Sequence, residues 1–465
     1  MTAPDSPVDT RADTYAPFRY RDYRLFIAMV LIASLCQQAL GVAVGWDIYE
    51  RTGSVMALGW VGLAQFIPVL LFFLPAGQLA DRYDRRRIVA VSLTLWVAAS
   101  ILLVWSAWRN APVFSIYAAL FAIGAATILN RAGRDALLSQ LVPPAALARA
   151  VMWNSTVFQT ASVAGPALAG LLIASSAAVL GTAGGSAGGA ALVSAGGAAG
   201  GAAGAAAGVA GVAGVAGVAG AAGGAAGSSA IIVYAFNLIG MLIAMVLALS
   251  IRHHPLTAGQ RPSTWAGVFG GLVHVWQTKV VLGLITIDLF AVLLGGAVAL
   301  LPVYAKDVLN TGAAGLGWLA AAPAIGAVAM AFVHARARGH AHAGRTFLWA
   351  VGVFGLATIV FGLSRWYWLS FAALVLVGAA DNVGAVIRQT AVQLYTPDQL
   401  RGRVAAVNRV FISSSNELGA VESGLLASLT NPVFAVVAGG VVTLLIAAGG
   451  FKMFPDLRTM KTVGG

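Results

Sequence analysis

Apolar residues run along this chain in long unbroken stretches, separated by short polar segments rich in arginine. Crossing a hydrocarbon core of about 30 Å takes about 20 apolar residues in a helix. On that measure the pattern predicts twelve spanning helices, at 25–48, 56–78, 87–107, 112–130, 150–175, 230–251, 280–302, 313–334, 346–363, 366–387, 404–428 and 431–451. Strands of a membrane β-barrel alternate apolar and polar positions over about ten residues, and these runs do not alternate. The expected class is therefore an all-α integral membrane protein.

Charge orients the helices. Of the 28 lysines and arginines, all but Arg51, Arg109, Lys306 and Arg365 fall on one side of this topology, at the two ends of the chain and in or beside every second loop. Positive charge marks the cytoplasmic side. Both termini are thus expected in the cytoplasm, and the chain in a bacterial inner membrane.

One stretch resists the count. No charged residue occurs between Arg149 and Arg252, and residues 181–230 are almost entirely Gly, Ala, Val and Ser. Glycine costs a helix about 1 kcal/mol relative to alanine, so 181–230 is read as a low-complexity outside loop. A pair of marginal extra helices is the alternative. Proline is absent there and the Gly-x-y register is short, which excludes collagen.

An internal repeat divides the chain. Arg134, Pro143, Arg149 and Asn154 recur as Arg388, Pro397, Arg403 and Asn408, at one offset of 254 and in the same topological position of each half. Arg82 pairs with Arg336 at that offset, while Asp81 faces Ala335. Two parallel halves follow: a tail 1–24, a six-helix bundle 25–251, a cytoplasmic linker 252–279, a second bundle 280–451 and a tail 452–465, with the bundles around a central cavity.

Composition narrows the function. Only 9% of residues are charged and 59% are hydrophobic, against about 25% charged in soluble domains. The net charge of +12 is spread over short loops. It is not gathered on one face as a nucleic-acid binder requires, so the lipid bilayer is the expected partner and nucleic acid is not. Cys36 is the single cysteine, and no Cys or His spacing suits a metal. No nucleophile motif, phosphate loop or nucleotide-binding segment stands out, so neither an enzyme nor a cofactor is expected.

The candidate chemistry begins after the second span, in Gly77-Gln78-Leu79-Ala80-Asp81-Arg82-Tyr83-Asp84-Arg85-Arg86-Arg87. A carboxylate there can accept from a helix N-terminus, and the arginines can pair with carboxylates; orientation charge alone is the plainer reading. Gly-x-x-x-Asp-Arg followed by a basic cluster resembles the signature loop of the major facilitator superfamily. Trp46 to Ser54, Arg401-Gly402-Arg403-Val404, and Ser414-Ser415-Asn416-Glu417-Leu418-Gly419 are similar to the branch containing the enterobactin exporter and macrolide efflux proteins. The resemblance covers roughly 20–180 and 230–457. It implies two bundles rocking about a central cavity, with Gly77, Asp81 and Arg82 locking the cytoplasmic side in the outward-open state and Arg85 and Arg86 beside them. Asp84 stands where the superfamily usually has glycine, which puts the local turn geometry in question. Gly165-Pro166-Ala167-Leu168-Ala169-Gly170 is similar to a degraded antiporter motif, with Ala161 and Met152 at its upstream glycine positions. It leans toward export, or is ordinary helix packing.

Charges inside a membrane are costly and rarely face lipid. Asp288, Asp381 and Glu417 are the candidate proton carriers, each of them alternatively structural. Asp381 and Arg388 lie seven residues apart on one helix face, as an ion pair closing the cavity or with Arg388 reaching the interface. Asp47 is structural or simply wet, and Glu422 points elsewhere than Glu417. Gln37 or Gln38, Gln65, Asn154, Gln159 and Asn237 are candidate cavity residues. Trp46 and Tyr49 are expected in the interfacial aromatic belt.

The expectation is a monomeric, proton-coupled exporter of a small amphipathic molecule, a siderophore or drug-like compound. An importer of the same fold, or a membrane enzyme or scaffold without transport, is the alternative.

Overall fold

The structure is a computed structural model that describes residues 14–183, 229–252, 265–336, 342–397 and 400–460. Twelve long helices occur among them. The first six are α1 (Arg21–Thr52), α2 (Val55–Arg82), α3 (Arg85–Trp108), α4 (Val113–Leu141), α5 (Pro144–Ala183) and α6 (Ile231–Ser250). After a linker helix α7 (Trp265–Gln277) come α8 (Lys279–Gly295), α9 (Gly312–Arg336), α10 (Ala343–Leu363), α11 (Tyr367–Leu394), α12 (Arg401–Leu429) and α13 (Pro432–Met453), then a short α14 (Pro455–Thr459). Residues 184–228, the body of the expected Gly/Ala loop, lie outside the described residues.

Eleven of the long helices are apolar and long enough to cross a membrane. The exception is α12, which carries Ser413, Ser414, Ser415, Asn416, Glu417 and Glu422. It packs against α2 and α8. A helix shielded from lipid on these faces tolerates polar residues that a lipid-facing one would not.

The helices outrun their apolar stretches. Apolar length sets what lipid covers, but hydrogen bonding continues into water until a cap intervenes. The longest, α5, has 40 residues, about 60 Å at 1.5 Å per residue.

The two halves repeat in their packing. At Gly124 of α4 an added Cβ would sit 2.5 Å from Pro68 Cγ of α2, and at Gly378 of α11, 254 positions on, it would strike the backbone of Pro323 of α9. Both glycines allow two helices of the same half to approach.

The linker carries more structure than its sequence suggested. Val275 of α7 is 2% exposed and packs with Val281, Ile285, Val392, Val404 and Val407. Gly271 of α7 lies against the backbone of Arg403. Thus α7 is docked under the second half at the basic end of the molecule, the end that carries most of the arginines.

The turn at Asp84 also departs from expectation. Asp84 has φ −55°, and its carboxylate accepts from the backbone N–H of Arg86 at 3.0 Å, capping α3. A capping carboxylate here does the work of the turn without the positive φ that would favour glycine.

Candidate functional site

A cavity of about 640 Å³ lies between the halves, within the size range of small-molecule sites. From α1 and α2 come Gln38, Gly41, Gly45, Leu58, Gly62 and Gln65; from α8, α11 and α12 come Asp288, Asp381, Arg388, Ser415, Asn416 and Glu417. Six of the expected cavity and coupling residues meet there: Asp288, Asp381, Arg388, Glu417, Gln38 and Gln65.

Others do not. Asn154 and Gln159 are half-buried on α5 and are not among the residues lining this cavity. One turn of α1 decides between the consecutive glutamines: Gln38 lines the cavity and donates from Nε2 to Ser162 Oγ at 2.9 Å, while Gln37 does not line it. Gln65 faces the cavity from α2. Asn237 is withdrawn from it: its Nδ2 donates to the Cys36 carbonyl at 3.0 Å and its Oδ1 accepts from Ser100 at 2.8 Å.

Charge is arranged by helix crossing. Arg388 is buried and pairs with Asp288 of α8, not with Asp381 on its own helix face. The seven-residue spacing aligns Asp381 and Arg388 along α11, but the crossing of α8 brings Asp288 to the guanidinium. Asp381 is exposed into the cavity, and Glu417 is half-buried. A small void of about 20 Å³ touches both Asp288 and Asp381, room for about one water.

At the end opposite the basic one, the distal end, the halves close on each other. A Cβ on Gly62 of α2 would fall 2.5 Å from the Glu417 carbonyl oxygen and 2.8 Å from Ala420 Cβ of α12. Gly59 and Gly424 meet one turn further out. On the other flank, Gly170 of α5 lies against Ala313 and Gly317 of α9, while Gly165 lies against Leu35, Gln38 and Ala39 of α1. Thus the segment containing Pro166 holds α5 to both halves. Tyr49 of α1 donates to Asp307, and Lys306 sits 5.5 Å from the Tyr49 ring centroid.

At the distal end Asp47 is decided between its two expected settings, and Trp46 and Tyr49 overturn theirs. Asp47 is 0% exposed, accepting from Arg51 Nε at 2.8 Å and from the Tyr234 hydroxyl at 2.9 Å, so it is structural and not wet. Trp46 and Tyr49 are buried, 9% and 6% exposed, rather than lying in an aromatic belt. The sequence carried no sign of Tyr49 meeting Asp307. Ser415 and Asn416, also passed over as cavity residues, had a signal: a polar run in the middle of a spanning helix.

In the signature loop, the side chains of Gly77, Asp81 and Arg82 lie outside the described residues. Arg85 is buried, and Arg86 donates to the carbonyl of Leu249. Across the basic end, Arg409 Nη1 donates to Asp135 Oδ2 at 3.1 Å, both side chains about half exposed.

The family model for transmembrane secretion effectors matches residues 12–195 and 204–463. The chain belongs to that family. It is a multi-pass membrane protein of the major facilitator superfamily. Macrolide efflux protein A of Streptococcus pyogenes is 25% identical over 161 residues, 34% of this chain and 40% of that relative. The chain thus matches less than half the length of that relative. The multidrug efflux pump Tap of Mycolicibacterium fortuitum is 26% identical over 399 residues, 83% of this chain and 84% of Tap. Among solved structures, a bacterial homologue of the human lysosomal transporter Spinster, in an inward-facing and occupied conformation, superposes with a TM-score of 0.68. It covers 94% of this chain and 98% of its own at 16% identity. That agreement carries the fold: twelve helices in two six-helix bundles around a central cavity.

Proposed function

We propose that the protein exports a small amphipathic molecule in exchange for protons, from the cytoplasm across a bacterial inner membrane, with the basic end and both termini cytoplasmic. The observation that carries the reading is the cavity between the halves, lined by Asp381 and Glu417, which have no cationic partner among the described residues, and sealed distally by glycine contacts. The bundles 25–251 and 280–451 move as units, joined through 252–279. Efflux relatives support the direction, and the arginine asymmetry supports the sidedness.

Of the three candidate proton carriers, Asp288 is held by Arg388 and is the least free to exchange. Glu417 is the proposed coupling residue. It lines the cavity, has no cationic partner among the described residues, and its backbone carbonyl forms the seal with Gly62. A proton arriving there changes charge where the distal contact must open. Gly77, Asp81, Arg82, Arg85 and Arg86 act as the gate at the basic end, beside the Asp135–Arg409 bridge. Residues Gly165 to Gly170 keep α5 against α1 and α9 during rocking.

Purified protein in proteoliposomes tests this. Under an imposed proton gradient, a panel of drug-like compounds and siderophores should include one that moves against its own gradient. Glu417→Gln should lose gradient-driven accumulation while retaining downhill exchange. Gradient-driven transport by Glu417→Gln at the wild-type rate would refute the coupling assignment.

A further inference from the structure

The charge of the cavity points to the class of molecule it takes, an inference that rests on the transport reading above. Among the described residues, the ionisable ones lining the cavity are Asp288, Asp381, Glu417 and Arg388, all in the second half. Asp288 and Arg388 neutralise each other. Asp381 and Glu417 have no cationic partner among the described residues, and Asp381 is exposed into the cavity. Among the described residues the facing wall is uncharged: the amides of Gln38 and Gln65 lie among Val42, Leu58 and Val61. Membrane-buried walls of low dielectric screen little, so this excess of carboxylate repels an anion and favours a cation.

We infer that the cavity takes an amphipathic organic monocation, with its charged centre against Asp381 and its apolar body against the α1–α2 wall. One available carboxylate, with Glu417 kept for the proton, matches one positive charge. A polycarboxylate ligand of the ferric-chelator type finds two carboxylates facing it and its only complementary group already paired.

Equilibrium binding to the full chain in nanodiscs, corrected with empty nanodiscs, tests the inference. The probes are tetraphenylphosphonium and tetraphenylborate, of nearly the same size and opposite charge. Protein-dependent binding should favour the cation by about tenfold or more, the scale of one like-charge against one opposite-charge contact. Asp381→Asn should lose about tenfold in cation affinity, and Asp381→Glu should retain it. Tetraphenylborate binding as tightly as the cation, or wild-type cation affinity in Asp381→Asn, would overturn the assignment. The wild-type comparison stands even if Asp381→Asn misfolds. If an anionic siderophore moves in proteoliposomes while cations neither bind nor move, export survives and this assignment falls. If the cation binds through Asp381 but no compound is driven by a proton gradient, this assignment stands and the export reading falls.

Discussion

Arg388 of α11 pairs with Asp288 of α8, although Asp381 stands on the same face of its own helix. Both partners of the pair are nearly buried, so each offsets the desolvation of the other's charge. Removing one charge from such a pair costs about 3–5 kcal/mol, whereas replacing both with apolar side chains of similar volume is often neutral. Asp288→Leu and Arg388→Met should each lower the thermal midpoint in detergent by several degrees. The double variant should recover most of the loss. Additive losses in the double variant would show that the two side chains do not support each other.

Glycine at 62 is required by the distal seal. A Cβ there would meet the Glu417 carbonyl oxygen at 2.5 Å, and backbone atoms give way little. Gly62→Leu should hold α2 away from α12 and abolish transport while the protein remains folded. A Leu58→Cys reporter, buried at this seal, should then react faster with a membrane-impermeant maleimide added from the distal side. Unchanged labelling would mean that the seal lies elsewhere.

The bond from Tyr49 to Asp307 ties the two halves together. Hydrogen bonds to charged groups contribute about 1.5–3 kcal/mol, so Tyr49→Phe should shift the conformational balance away from the distally closed state by roughly tenfold or more. Lys306 keeps its place over the ring in that variant. Distance distributions between spin labels on α1 and α9 would report the shift, and an unaltered distribution would remove Tyr49 from the gate.

Asp84 separates a capping role from a turn requirement. Loss of an N-cap to alanine costs about 0.5–2 kcal/mol, to glycine only a few tenths. Asp84→Gly, which restores the residue usual in the superfamily, should melt close to wild type, and Asp84→Ala should melt lower. Equal melting of the two variants would remove the cap from the account of this turn.

Much of this was legible in the sequence because lipid burial is a property of each segment alone. A run of apolar residues spans whatever its neighbours are, and arginine in a short loop orients the spans beside it. Twelve helices, the two-bundle fold and six of the cavity residues followed from such local signals. The candidate acids were found because a carboxylate in an apolar run is conspicuous wherever it ends up pointing.

Which polar group meets which was decided only by the tertiary structure. Asp288 reaches Arg388, Tyr234 and Arg51 enclose Asp47, Tyr49 finds Asp307, and Asn154 misses the cavity because of how helices far apart in sequence are rotated and crossed. Rotation about a helix axis moves a side chain from lipid to cavity without changing the apolar count of its span. The amino-acid sequence thus determined that this chain spans a membrane as a two-halved transporter. The packing of its helices determined that Asp381 and Glu417 line the cavity with no cationic partner among the described residues, because Asp288, arriving on another helix, had taken the arginine.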